Sequence, residues 1–144
     1  MYKSILVPID GSIQSRKALE VAANLIDREQ GLLHVLNVQD HPLAGDTLGH
    51  ATGAPAPNAD EIAQSSGQSV IDSVRKGLPL ESGRVRFVVR SGRPAEVIVA
   101  EAKRLGTDAI VIGSRGASDI GSLVMGSVSH RVLHVARGTV IVVR

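Results

Sequence analysis

The chain contains no cysteine and no tryptophan, and its only aromatic residues are Tyr2 and Phe87. Without thiols there is no disulfide, no thiolate nucleophile and no cysteine-held metal or cluster, so any chemistry falls to oxygen and nitrogen groups. Two lone aromatics cannot build the stacking platforms on which single-stranded nucleic acids are held. Sixteen Lys and Arg residues are scattered along the chain and nearly balanced by fourteen acids, for a formal charge of +2, which gives no basic stripe. Nucleic acid is therefore not expected as a partner. No apolar run approaches the roughly 18 residues of a membrane span, so no membrane insertion is expected. The opening Met1-Tyr2-Lys3-Ser4-Ile5 runs directly into a strand-like segment without the pattern of a secretory signal, and a cytoplasmic location is the expectation.

What is present is an apolar content of 43% spread over 144 residues, the length and composition of one globular domain, and residues 1–144 read as a single unit. Strand-length apolar runs alternate with segments of helical period. Lys3–Ile9 reads as a strand ending near Pro8, followed by the loop Asp10-Gly11-Ser12. Apolar positions at Ala18, Leu19, Ala22, Leu25 and Ile26 predict a helix over 13–30, stopped by Gly31. Leu32–Val38 is a second strand. The stretch 41–58, rich in glycine and proline, reads as a long loop or lid. A helix over 60–76, a strand over 84–90 and a helix over 95–105 follow, the last with Pro94 at its first position and Gly106 as its stop. Residues 108–112 form a fourth strand, 128–137 a last helix ended by Gly138, and Thr139–Val143 a fifth strand.

Near-continuous Val/Ile/Leu strands separated by helical crossovers predict an α/β fold, an open doubly wound five-stranded parallel sheet with helices on both faces. In such sheets ligands bind beyond the carboxyl ends of the strands, where the strand order reverses. With the order 3-2-1-4-5, the segment after strand one (Asp10-Gly11-Ser12) and the loop after strand four face each other across one crevice.

That second loop, GSRGASDIGSLVMGSVSHR, gathers Gly113, Gly116, Gly121 and Gly126 among small hydroxylated residues. Closely spaced glycines let backbone N–H groups wrap an anion, and a following helix N-terminus adds a favourable dipole, so the expected guest is a phosphate. It is not a Walker A loop: Gly121 and Gly126 have the right separation, but Ser127 stands where lysine belongs. Glycine spacing alone leaves a second reading open, a surface loop with a tight helix start. Asp10 reads equally as a helix cap with Ser12, Ser127 and Ser129 as caps of the last helix, and Arg115 as a phosphate neutraliser or a solvated arginine. His130 and His134 lie four apart on a helix, but Arg131 replaces the glutamate of a metalloprotease motif, which favours a structural pair. Arg84, Arg86 and Arg90 read as a solvated edge face, and His34 as a structurally satisfied strand residue.

Gly113, two residues, Gly116, nine residues and Gly126-Ser127, following a strand that ends in DAIVIG, resemble the ATP-binding motif of the universal stress protein family. The opening ILVPIDGS and the closing GSVSHRVLHVARGTVIVVR are similar to that family's first strand and last helix, so the resemblance covers essentially the whole chain. Gly138-Thr139 departs from the family's frequent Cys-Pro, and His130 from its frequent acidic or amide residue. The resemblance implies that Asp10 lies near the ribose and phosphates, that Pro8, Ile9 and Val38 border the base, and that Gly113, Gly116, Gly126, Ser127, Val128 and Ser129 hold ribose and phosphates.

The expectation is thus a small ATP-binding regulatory protein whose nucleotide state modulates an unidentified protein partner. ADP or another adenine nucleotide is not distinguished from ATP, and Asp10 is placed to share a Mg²⁺ with the phosphates. No Ser-His-Asp arrangement, nucleotidyl-transfer signature or second placed carboxylate accompanies the loop, so turnover is expected to be slow at most. An efficient ATPase or phosphotransferase and a nucleotide-free interaction module are the alternatives. The apolar strand Thr139–Val143, lying at a sheet edge, predicts a homodimer.

Overall fold

The computed structural model describes residues 1–40, 58–117 and 125–144. The chain runs β1 (Ser4–Pro8), α1 (Ile13–Leu25), β2 (Leu32–Gln39), α2 (Ala59–Arg75), β3 (Val85–Ser91), α3 (Pro94–Leu105), β4 (Ala109–Gly113), α4 (Ser127–Val135) and β5 (Thr139–Val143), with one 3-10 turn at Ser82–Arg84. The strands form one sheet in the order β3-β2-β1-β4-β5, as expected, and every pairing is parallel. The order reverses where β1 lies beside β4.

Strands covered on both faces need apolar side chains at odd and even positions, and successive residues of β1 show this: Ile5, Leu6 and Val7 are all buried. Ile5 and Val7, with Leu33, Val35 and Val111, pack against Ala18, Leu19 and Ala22 of α1 and Ile71 and Val74 of α2. Leu6, with Leu36, Ile110 and Ile112, packs against Ala95 and Ile98 of α3 and Val132 of α4. Two apolar layers thus sandwich the sheet, each large aliphatic side chain contributing roughly 1.5–3 kcal/mol by its removal from water.

Two helix ends differ from the sequence expectation. α1 stops at Leu25, not near Gln30, because Ile26 turns into extended backbone and Asp27 Oδ1 accepts the N–H groups of Glu29 and Gln30. That local side-chain turn competes successfully with the helix. α4 stops at Val135, with Ala136 already extended, two residues short of the expected end at Arg137. The ends of α3 agree, with Pro94 in the first turn and Gly106 left-handed at φ 61°. The expected loop over 41–58 lies outside the described residues apart from Asn58, which precedes α2.

The arginines near β3 are not simply a solvated face. Arg84 lies before the strand and donates to the carbonyls of Asp27, Arg28 and Gly31. Arg90 and Arg104 both pair with the buried Glu101 carboxylate. Arg86 is exposed and donates to the Gly83 carbonyl.

Candidate functional site

Pro8 ends β1 because it offers no N–H to the ladder. The chain stays in register for one more residue through the Ile9 N–H, which donates to the Leu36 carbonyl at 2.8 Å. Beneath it the buried Asn37 donates from Nδ2 to the Ile9 carbonyl at 2.8 Å. Gly11 then takes a φ of 85°, a region open to glycine, and Ser12 caps α1 by accepting the Ser15 N–H at 3.1 Å. Asp10 is left at the mouth of the turn. Its Oδ1 accepts the Ser12 N–H at 3.0 Å, and its Oδ2 accepts the Ala117 N–H at 2.8 Å. One carboxylate therefore ties the loop after β1 to the loop after β4. Packing around Asp10 would by itself raise its pKa, but hydrogen bonds from Ser12, Ala117 and Ser15 hold it below the ordinary carboxylate value.

At the end of β4, Gly113 lies so close to α1 that an added Cβ would meet the Gln14 carbonyl carbon at 2.8 Å. The Gly113 carbonyl accepts the Ser129 hydroxyl at 2.7 Å. Ser114 is gripped from two sides: its N–H donates to the Val143 carbonyl, and its carbonyl accepts the Gly126 N–H. A Cβ on Gly116 would come within 2.9 Å of Asp10 Oδ2. α4 begins at Gly126 without any side-chain cap. The N–H groups of Ser127, Val128 and Ser129 lie in the first turn, where a helix supplies no partner.

These elements enclose a crevice of about 230 Å³ between the carboxyl ends of β1 and β4. All eleven residues singled out from the sequence line it: Pro8, Ile9 and Asp10 after β1, Val38 at the end of β2, Gly113, Arg115 and Gly116 after β4, and Gly126, Ser127, Val128 and Ser129 at the start of α4. The glycine cradle and the aliphatic walls are thus brought together. The hydroxyl of Ser129, however, donates to the Gly113 carbonyl, so that side chain joins α4 to β4. Gly121 and Asp119 lie outside the described residues.

Five further lining residues escaped the sequence reading: Ser15, Asp40, Pro94, Ile98 and Ile112. Asp40 carried a usable signal, since it directly follows the strand whose end borders the crevice. Pro94 and Ile98 read only as a helix start and a core position. His130 and His134 stack edge to face, with ring centroids 4.7 Å apart. Among the described residues no group of three or more His, Asp or Glu side chains is placed to hold a metal, and no helix is long and apolar enough to cross a membrane.

The family model of the universal stress proteins matches residues 1–144. Universal stress protein YxiE of Bacillus subtilis is 31% identical over 148 residues, covering all of both chains. The structure of universal stress protein UspA from Lactobacillus plantarum is 28% identical, covers 99% of this chain and 98% of that one, and superposes with a TM-score of 0.77. A universal stress protein from Archaeoglobus fulgidus, solved in complex with dAMP, is 24% identical with a TM-score of 0.59, covering 99% and 98% of the two chains.

Proposed function

Taking as premise that this chain belongs to the universal stress protein family, we propose that the β1–β4 crevice binds an adenine nucleotide, ATP in the first instance, and that its occupancy regulates association with a partner protein. The observation that carries this reading is the convergence of the glycine loop, the uncapped start of α4 and the aliphatic walls on one crevice at the point where strand order reverses. The dAMP held by the Archaeoglobus fulgidus relative is in keeping with it, but at that identity the likeness is one of fold, and the assignment rests on this chain's own residues.

The donor set suits a polyphosphate. Backbone N–H groups at Ser127 and Val128 and the positive end of the α4 dipole face the anion, and Arg115 lies at the same wall. Pro8, Ile9, Val38 and Ile98 offer apolar surface to a base, with backbone groups at the strand ends to read its edge. For Mg²⁺ the protein offers Asp10 and Asp40 as single carboxylates, so the ion would be held chiefly by the phosphates. A carboxylate already engaged by two N–H groups is a weak candidate for a general base. Hydrolysis or self-phosphorylation should accordingly be slow.

One observation favours a nucleotide-free reading: Asp10 and Ser129 tie the crevice walls together through hydrogen bonds within the protein itself. Titration calorimetry of Mg²⁺-ATP into the wild type and Gly126→Val decides between them, after a denatured aliquot has been checked for carried nucleotide. Saturable binding that the variant loses supports the nucleotide site. Absence of both binding and carried nucleotide leaves an interaction module. We also propose a homodimer through β5, which pairs only with β4 among the described residues. Ile141→Lys should dissociate it in sedimentation; an unchanged dimer refutes pairing at this edge.

A further inference from the structure

A larger cavity, about 530 Å³, lies at the opposite end of the sheet, between the last turns of α3 and α4 and the first residues of β4 and β5. Its origin is the early end of α4. Because Ala136 is already extended, no further helical turn packs against α3, and space remains above Ile110. The walls are apolar: Val99 and Ala102 from α3, Ile110 from β4, Val135 and Ala136 from the end of α4.

The rim is not apolar. Lys103, in the last turn of α3, and Arg137, between α4 and β5, both line the cavity, and neither forms an ion pair with any described residue. The single acid in the lining, Asp108, is turned to another task, its Oδ2 accepting the N–H groups of Lys3 and Ser4 at 2.8 and 2.9 Å. Two cations with no carboxylate of their own, over an apolar floor of small-molecule size, select a guest with one anionic end and one hydrocarbon end. We propose that this cavity binds a small amphipathic carboxylate, its chain against Val99, Ala102, Ile110 and Val135 and its carboxylate between Lys103 and Arg137. A carboxylate in that position takes charge-assisted hydrogen bonds from both. It also lies away from the β1–β4 crevice, so this site stands or falls independently of the nucleotide reading.

The test is a titration of the full chain, labelled at its Ile, Val and Ala methyls, with octanoate, decanoate and uncharged 1-decanol, all below micelle formation. Methyl shifts concentrated on Val99, Ala102, Ile110 and Val135, with affinity rising severalfold for the two added methylenes, support the site. The double variant Lys103→Gln/Arg137→Gln alters exposed side chains and should keep the wild-type melting temperature. It should lose decanoate affinity by about tenfold or more. Shifts centred elsewhere, an affinity indifferent to the double variant, or equal binding of 1-decanol would each overturn the proposal. So would failure of decanoate to bind because sedimentation and methyl shifts show a second copy filling the cavity.

Discussion

Gly113→Ala places one methyl group where β4 meets the first turn of α1. The ideal Cβ stands 2.8 Å from the Gln14 carbonyl carbon and 3.0 Å from its Cβ and its oxygen, against an ordinary contact of 3.4–4 Å. The obstacle is mostly main chain, so no rotamer change relieves it, and α1 must retreat by about half an ångström or more from a closely packed layer. Overpacking of this kind costs about 1–3 kcal/mol. For a chain of this size that lowers the melting temperature by about 5 °C. Gly138→Ala is the internal control: nothing lies within 4 Å of its added Cβ, its φ is not positive, and the loss of unfolded-chain freedom should leave it equal to or slightly more stable than the wild type. Differential scanning calorimetry of the two variants side by side reads the difference. Equal melting temperatures would show that the β4–α1 approach carries no packing constraint, and the account of Gly113 as a close-contact position would fail.

Burial of His34, with Arg104 and Arg86 nearby and only Glu101 opposing them, holds its imidazole pKa below the ordinary 6.5. The unfolded chain therefore takes up this proton first, and the stability contributed by neutral His34 is complete above about pH 6.5 and lost as pH falls through the folded value. His34→Gln should flatten the curve of denaturation midpoint against pH in that acid range; an unchanged slope counts against it. Glu101 would be raised by burial, but Arg104 and Arg90 reverse this and hold it below 4.5, so its stabilisation is present above that pH and disappears as pH falls through the folded value. Glu101→Gln should cost about 1–2 kcal/mol at pH 7, the low end because both arginines are about half exposed, and the gap from wild type should narrow in acid.

The parallel, doubly covered sheet was legible because β1, β4 and β5 are apolar at consecutive positions and the crossovers between strands are long enough for helices, while the order 3-2-1-4-5 is what the family resemblance implies. The crevice followed from topology: once β1 and β4 are neighbours, Asp10 and Gly113 must meet. What escaped were interactions set by distant partners. Arg84, Arg86 and Arg90 alternate correctly for one strand face, yet nothing local announces that Glu101, on the next helix, sits buried between Arg90 and Arg104. The end of α1 was missed for the opposite reason, a purely local one: Asp27 offers its neighbours' N–H groups a turn, and helical periodicity does not register such competition. Ile98 joined the site only through the packing of α3, which no spacing encodes.

The placement of β1 at the centre of the sheet has a consequence for biosynthesis. Ile5 pairs with Leu33 on one side and with Ala109 on the other, so once β1 has been made it keeps an unpaired edge until about a hundred more residues have followed. At about 5–20 residues per second that interval is roughly 5–20 s, far longer than the microseconds to milliseconds of local collapse. During it, an apolar strand built for two neighbours has only one, and the nascent chain is at its most exposed to chaperones and to misassociation.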